Sequence, residues 1–201
     1  MYLDHGVDIE MFAAAAQNRD RSTDVEDIPK PIVGYIGSLD EHKIDTVFIE
    51  TLVSLLPQMS FVFVGEGNLD CSSLLAKNNV WMLGQKPYQE VPHYGKCFDV
   101  AIIPLRTSRW AAAVNPTKLK EYLALGKPIV STSAFAELEK YHDVAYVADT
   151  VEAFAQCIQT ALAEDNLRRI AARRKKVKHA SRGQQGILGA QRVVPKITIC
   201  K

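Results

Sequence analysis

Hydrophobic residues between positions 31 and 148 fall into six short, nearly continuous runs that are separated by polar segments. Such runs are typical of parallel strands covered on both faces, whereas a strand with one wet face alternates between apolar and polar residues. The runs predict strands, with their exits, at 31–39, 60–65, 79–83, 99–105, 129–132 and 145–148.

Apolar residues that recur every three or four positions predict helices between these strands. The predicted helices lie at 46–56, 71–77, 89–97, 116–125, 134–141 and 150–163, and a basic helix follows at 167–180. Pro92 is expected to break the third helix near its start. We expect an inward face on the first helix, formed by Val47, Ile49, Leu52, Val53 and Leu56, and one on the sixth, formed by Val151, Phe154, Ile158 and Leu162.

Strands that alternate with helices predict an α/β fold, a Rossmann-like doubly wound parallel sheet. Ligands of such folds bind at the carboxyl ends of the strands. We expect three parts: a polar connecting segment at 1–30, the Rossmann-like domain at 31–165 and a basic extension at 166–201.

The composition is that of a globular protein of 201 residues, with 47% hydrophobic and 23% charged residues. No apolar run approaches the 18 or so residues of a transmembrane helix, and the N-terminus does not resemble a signal peptide. The four cysteines lack C-x-x-C spacing, the five histidines have no metal-binding spacing, and the first strand is not followed by G-x-G-x-x-G. These features predict a cytoplasmic protein with reduced thiols and argue against a zinc site and a nicotinamide site.

The charge is unevenly distributed along the chain. Residues 1–165 carry 13 Lys/Arg against 23 Asp/Glu, a balance of −10, whereas residues 166–201 carry 11 Lys/Arg and no acid. Either the basic segment meets an anionic surface, or its helix packs on the acidic body of the same chain.

Residues 115–132 carry the most informative pattern. Asn115 is a good N-cap and Pro116 suits a first helical position, while Gly126 is expected to end the helix. Lys118 lies in the first turn, where a cation opposes the helix dipole, but a helix start that binds an anion would accommodate it. Thr117, Lys118 and Glu121 share one side of the helix, which suits a phosphate and a neighbouring sugar hydroxyl. The alternative is a solvated surface helix with a Lys/Glu pair.

This stretch reads N-P-T-K-L-K-E-Y-L-A-L-G-K-P-I-V-S-T and resembles the donor-binding signature of GT-B glycosyltransferases, especially bacterial exopolysaccharide (group 1) enzymes. His5–Phe12 is similar to the segment that links the two halves of such enzymes, and the resemblance covers about residues 3–165. It implies that Lys118 binds the diphosphate of a nucleotide sugar and stabilises it as it leaves, and that Glu121 binds the ribose. The fold would be the C-terminal half of a GT-B fold.

The resemblance assigns further donor-binding residues. Gly37 and Ser38 would offer backbone N–H groups and a hydroxyl, with an ordinary turn as the alternative, and Lys86 would lie on the loop that holds the base. Gly65–Gly67 resembles a family loop, although a plain turn explains it as well. Arg106 and Arg109 would either add charge near the phosphates or be solvated.

The chain departs from the family pattern at three places. Ser38 stands where many relatives have an arginine, Lys43-Ile44 replaces a Lys-Gly pair, and Ala113 replaces the first of two glutamates that help to hold the donor sugar. The last departure leaves the donor sugar and the stereochemical outcome open.

The resemblance therefore implies the donor-binding domain of a glycosyltransferase that transfers a sugar from a nucleoside diphosphate sugar to a glycan or lipid-linked acceptor. No cofactor or metal is expected, and no nucleic acid partner. The alternative is a truncated nucleotide-binding module or a subunit of a split enzyme, whose acceptor domain is on another chain. A sugar-nucleotide epimerase is disfavoured because it needs both halves and other acid/base residues. Residues 168–182 would bind an anionic membrane surface, which implies a peripheral location at the inner membrane face.

Overall fold

The computed structural model describes residues 8–18, 23–108, 111 and 117–178. In chain order its elements are α1 (Ile9–Ala15), α2 (Thr23–Glu26), β1 (Ile32–Ile36), α3 (Thr46–Leu55), β2 (Ser60–Val64), α4 (Ser72–Leu75), β3 (Val80–Met82), α5 (Val91–Gly95), β4 (Val100–Ile103), α6 (Thr117–Leu125), β5 (Ile129–Ser131), a 3₁₀ helix (Ala136–Tyr141), β6 (Tyr146–Val147), α7 (Val151–Glu164) and α8 (Leu167–Val177). The predicted elements are present. The strands are shorter than the predicted apolar runs, because those runs also include the first residues of the loops.

The six strands form one sheet in the order β3-β2-β1-β4-β5-β6, and all neighbours are parallel. The predicted doubly wound Rossmann-like sheet is therefore confirmed. The strand order reverses between β1 and β4, which is the position where such sheets bind ligands.

Alternate strand residues face two separate cores. On β1, Ile32 and Ile36 belong to one core, with side chains of α1, α5 and α6, whereas Val33 and Tyr35 belong to the other, with side chains of α3 and α7. Burial on both faces explains why the strands read as continuous apolar runs rather than as alternating ones.

Helix α6 lies inside the molecule rather than on its surface. It packs against α1 and α8 as well as against α5, β4 and β5, and every residue from Leu119 to Leu125 is buried. Lys120 is 1% exposed and Glu121 is 7% exposed. The alternative of a solvated surface helix is therefore wrong, because helices before and after the domain cover the face that a surface helix would expose. Gly126 ends α6 as predicted, with φ at +80°.

Two local expectations are wrong. Val47 was expected to face inward but is 70% exposed, because the inward face of α3 is set by Ile49, Leu52 and Val53. Pro92 does not break a helix that starts at residue 89. Helix α5 begins only at Val91, and Pro92 lies in its first turn, where the missing N–H is not needed.

The basic helix α8 packs on the body of the protein. Arg173 is 1% exposed and donates hydrogen bonds to the Gly126 carbonyl at 3.0 Å and to Asp165 at 2.6 Å, while Arg174 donates to the Leu125 carbonyl at 3.2 Å. These cations cap the last carbonyls of α6, where positive charge is favourable. The packed alternative is therefore confirmed for residues 167–177, and residues 179–201 of the predicted extension lie outside the described residues. Within the parts that are described, no helix is long and apolar enough to cross a membrane.

Candidate functional site

The site lies where β1 and β4 separate at the carboxyl edge of the sheet. These strands pair through Val33–Val100 and Gly34–Ala101. Further along β1, the Ile36 N–H donates instead to the Tyr122 hydroxyl of α6, at 2.7 Å. Tyr122 is fully buried, and burial holds the pKa of its hydroxyl well above the usual value, so the group stays neutral. The hydrogen bond therefore ties α6 to the end of β1.

Lys118 crosses the backbone of Gly37 directly after β1. A Cβ atom at Gly37 would lie 1.9 Å from Lys118 Cε and 2.6 Å from Nζ, and the φ of Gly37 is +148°. Both the space and the backbone angle therefore require glycine. The Lys118 ammonium also lies 6.0 Å from the ring centroid of Tyr35, whose hydroxyl donates to the Ser38 carbonyl at 3.0 Å.

The Lys118 ammonium has no hydrogen bond or ion pair to any residue of the described ranges. Burial lowers the pKa of Lys118, the Glu121 carboxylate opposes that shift, and Lys43 adds to it. A partly buried cation is normally paired, because removing charge from water is costly. Lys118 therefore suits an anionic ligand that would supply the missing partner.

The loops after β1 and β2 pack closely together through glycines. A Cβ at Gly65 would lie 2.0 Å from the Gly37 carbonyl oxygen, and one at Gly67 would lie 2.0 Å from the Leu39 carbonyl oxygen. The Gly37 N–H donates to Val64 O at 2.8 Å, and the Leu39 N–H donates to Glu66 O at 2.9 Å. The resemblance of Gly65–Gly67 to a family loop thus has a structural counterpart in this close approach.

The predicted donor contacts of Gly37 and Ser38 remain predictions, and two of the groups that they would use already have partners. The Gly37 N–H is already bonded to β2, and the Ser38 hydroxyl donates to Asp40. Because Gly37 has no side chain, the Lys118 side chain can lie across its backbone. Ser38 stays near the site as part of a loop that its own hydrogen bonds hold in place.

A second set of contacts joins the loops after β1 and β4. Ile44 and Leu105 form an antiparallel bridge, the Arg106 N–H donates to the Lys43 carbonyl at 2.7 Å, and Arg106 Nε donates to the Ile44 carbonyl at 3.0 Å. Lys43 pairs with Asp40 at 2.6 Å, and hydrogen bonds from Lys43 and Ser38 lower the pKa of Asp40. Arg106 therefore fixes a loop at the edge of the site.

Three of the predicted donor-binding residues come together at the start of α6. Thr117 and Lys118 lie in its first turn, both partly buried, and Glu121 lies in the next turn. Glu121 is buried, with 7% of its surface exposed. Asn115, Pro116, Arg109 and Ala113 lie outside the described residues.

Lys86 lies apart from this group and has its own partners. Its ammonium pairs with Asp24 at 2.5 Å and lies 5.2 Å from the ring centroid of Tyr94, and Asp24 also accepts a 2.8 Å hydrogen bond from the Tyr94 hydroxyl. The hydrogen bond with Asp24 raises the pKa of Lys86. Strands are about 4.8 Å apart, so the loop after β3 lies roughly 10 Å from the end of β1. The contact of Lys86 with the base of the nucleotide remains a prediction.

Sequence reasoning missed the roles of Tyr122 and Lys120. The sequence pattern does not indicate that the Tyr122 hydroxyl accepts a hydrogen bond from β1, and it does not single out Lys120. The Lys120 ammonium lies 3.2 Å from Glu137 in the 3₁₀ helix, and the side chains are 1% and 8% exposed. No signal in the sequence marks this pair, because 17 positions separate its members.

The described parts of the chain contain no group of three or more His, Cys, Asp or Glu residues arranged to hold a metal ion.

Known proteins resemble the chain in sequence and in fold. The family model of glycosyl transferases group 1 matches residues 30–164. A Bacillus subtilis protein assigned by name to teichuronic acid biosynthesis, the glycosyltransferase TuaH, is 33% identical over 151 residues, which cover 72% of this chain and 38% of that protein.

Two solved structures show the same fold. Anabaena HepE in complex with UDP and glucose has a TM-score of 0.66 at 18% identity, and the match covers 92% of this chain and 55% of HepE. Sucrose-phosphate synthase from Thermosynechococcus elongatus has a TM-score of 0.72 at 16% identity, covering 94% of this chain and 50% of that enzyme.

The chain thus spans 38% of the length of TuaH and about half of the two solved proteins. The family model covers more than half of the chain and includes the whole sheet together with α6. The predicted resemblance is confirmed, and the chain belongs to the glycosyl transferases group 1 family.

Proposed function

We propose that the chain is the donor-binding part of a glycosyltransferase that transfers a sugar from a nucleoside diphosphate sugar to a glycan or lipid-linked acceptor. The observation that carries the proposal is the Lys118 ammonium, which is partly buried, has no ion pair among the described residues, and lies at the start of α6 and across Gly37 at the strand switch point. A diphosphate there would gain both the ammonium and the N–H groups of the first helical turn.

The same groups would act in the transfer step. When the bond between the sugar carbon and the diphosphate oxygen breaks, its electron pair stays on that oxygen, and negative charge grows on the leaving group. Lys118 and the start of α6 would stabilise this charge more strongly than that of the intact donor, which lowers the barrier. Glu121, in the second turn, would accept hydrogen bonds from the ribose hydroxyls.

The relatives support a finer proposal about the ligands. HepE was solved with UDP and glucose, and TuaH is assigned by name to the synthesis of a polymer, teichuronic acid. We therefore propose a uridine nucleotide as the first donor to test and a growing polysaccharide as the acceptor class.

A second candidate is a nucleotide-binding module that has no transferase activity alone. The match covers 38% of TuaH, so the activity of that whole protein does not carry over to these residues alone. An acceptor-binding domain on another chain would complete the enzyme. Mixing the two chains with donor and acceptor should then give transfer that neither chain gives alone.

A thermal-shift panel tests donor binding. We expect one of UDP, GDP and ADP, or its sugar conjugate, to raise the melting temperature, because a ligand at 100 times its Kd stabilises by about 2.7 kcal/mol. For a chain of this size that corresponds to roughly 5–10 °C. EDTA should not reduce the shift, since we propose no metal. The nucleosides alone are the control, and the absence of a shift with every nucleotide would refute the proposal.

Glu121→Gln is expected to weaken binding of the ribonucleotide about fivefold. An amide accepts hydrogen bonds less strongly than a carboxylate, by about 1 kcal/mol. Calorimetry with the 2′,3′-dideoxy analogue separates this effect from a general one, because that ligand should lose almost nothing. Glu152→Gln, at an exposed position on α7, is the matched control. Equal losses for both ligands would exclude a ribose contact.

The proposed contact with an anionic membrane now depends on fewer residues. Arg169, Arg173, Arg174 and Lys176 bond to groups of the body, whereas Arg168, Lys175 and Lys178 are exposed. Each exposed cation contributes about 1 kcal/mol near an anionic surface, so we propose weak, salt-sensitive binding at the inner membrane face. Arg182 lies outside the described residues.

Vesicle sedimentation tests the membrane contact. At low salt the chain should sediment with phosphatidylglycerol vesicles and remain in solution with phosphatidylcholine vesicles. The triple variant Arg168→Gln/Lys175→Gln/Lys178→Gln should lose most of the binding. Sedimentation that is the same with both lipids would contradict the proposal.

A further inference from the structure

A polar cavity lies at the C-terminal end of α6, whereas the candidate donor site lies at its start. It has a volume of about 460 Å³ and is bounded by the end of α6, by α8 and by the segment between α5 and β4. Asp99, on its wall, directly precedes β4, so the cavity lies at the amino edge of the sheet, away from Lys118. The charged residues of its lining are Lys96, Lys127, Arg174, Asp99 and Asp165.

The three cations of the lining have few partners. The Lys127 side chain is partly buried, and its ammonium makes no hydrogen bond or ion pair with any of the described residues. Arg174 gives one N–H to the Leu125 carbonyl, but its buried Nε has no acceptor among the described residues. The one contact of the Lys96 ammonium within the same ranges is with His93 Nδ1, at 3.4 Å. Burial lowers the pKa of Lys127 to about 8, so the ammonium is still mostly protonated at neutral pH.

The two acids of the lining are already neutralised by other cations. Asp99 pairs with Lys30 at 2.6 Å and accepts the Ile32 N–H at 2.8 Å. Asp165 pairs with Arg173 at 2.6 Å. The nearby carbonyls of Leu125 and Gly126 accept from Arg174 and Arg173. The cavity therefore keeps an excess of three positive charges after these pairs are formed.

We propose that this cavity binds a phosphate group, either free or as a phosphomonoester. The Arg174 guanidinium and two ammonium groups match the charge and the several acceptor oxygens of a phosphate. The volume leaves room for a small organic group beside it. The bound phosphate would join α5, the turn after α6 and α8, and would supply the missing partners of Lys127 and Arg174. This site is independent of the donor site proposed above.

The test measures binding of inorganic phosphate by calorimetry and by thermal shift, against sodium chloride at equal ionic strength. It is made in the Lys118→Met background, which removes the proposed donor-site cation. We expect saturable binding that Lys127→Met weakens at least tenfold and Lys127→Arg largely preserves. Lys140→Met, at an exposed position, should bind as the parent does. No saturable binding, or equal binding by Lys127→Met, would overturn the proposal.

Two further arms distinguish the sources of the phosphate. Binding of glycerol 3-phosphate that depends on Lys127 identifies a soluble ligand, and binding to phosphatidic acid vesicles that depends on Lys127 identifies a lipid headgroup. If Lys127→Met does not fold, as judged by circular dichroism, Lys96→Met takes its place and should also weaken phosphate binding. Unchanged affinity in that variant would count against the site.

Discussion

Lys118→Met is expected to weaken binding of the nucleoside diphosphate by about 1.5–3 kcal/mol, roughly 10- to 150-fold, and to leave the ligand-free protein at least as stable as before. This loss of binding free energy lies in the range that is typical of hydrogen bonds to charged groups. The stability should not fall, because the ammonium is partly buried, has no ion pair in the described part of the chain, and lies in a first helical turn, where a cation costs about 0.3–1 kcal/mol. Methionine keeps the aliphatic contact with Gly37.

Calorimetry with UDP and thermal unfolding without ligand measure the two parts of this prediction. Lys140→Met is the control, since it removes an exposed lysine of the 3₁₀ helix. A residue that only supports the fold would lower both affinity and stability when it is replaced. Unchanged affinity in Lys118→Met would remove the main support for the donor site, whatever happens to the stability.

The strands could be predicted because local patterns determine them, whereas the strand order that creates the switch point is seen only in the structure. A strand buried on both faces needs a continuous apolar run, and Gly126 ends α6 because its φ of +80° favours glycine. Glycine is required at position 37 for two reasons. The backbone angle there is a local property of the turn, but the steric reason is not local. The atom that a Cβ would meet belongs to Lys118, 81 positions further along the chain.

The burial of α6 could not be predicted from its own residues. Its charged positions suggested an amphipathic helix, but α1 and α8, from distant parts of the chain, cover the other side. The pairs Lys86–Asp24 and Lys120–Glu137 show the same limit, since each depends on packing between separate elements. The sequence pattern therefore identified candidate site residues, but it did not show which of them already have partners.

Lys120→Met is expected to lower the free energy of unfolding by about 3–5 kcal/mol, the usual cost of removing one member of a buried ion pair. Lys120 is 1% exposed and the Glu137 side chain 8%, so water can replace the lost contact only poorly. Chemical denaturation measures the change, and Lys77→Met, at an exposed position, should cost little.

The double variant Lys120→Met/Glu137→Gln separates the ion pair from simple packing. Glu137→Gln removes the buried carboxylate charge but keeps hydrogen-bonding atoms, so the double variant should recover most of the stability that Lys120→Met loses. If lost packing of the lysine stem caused the effect, the two changes would add instead. A cost below about 1 kcal/mol for Lys120→Met would show that the pair contributes little. Recovery in the double variant would establish that Lys120 anchors the 3₁₀ helix to α6, the helix that carries Lys118 and Glu121.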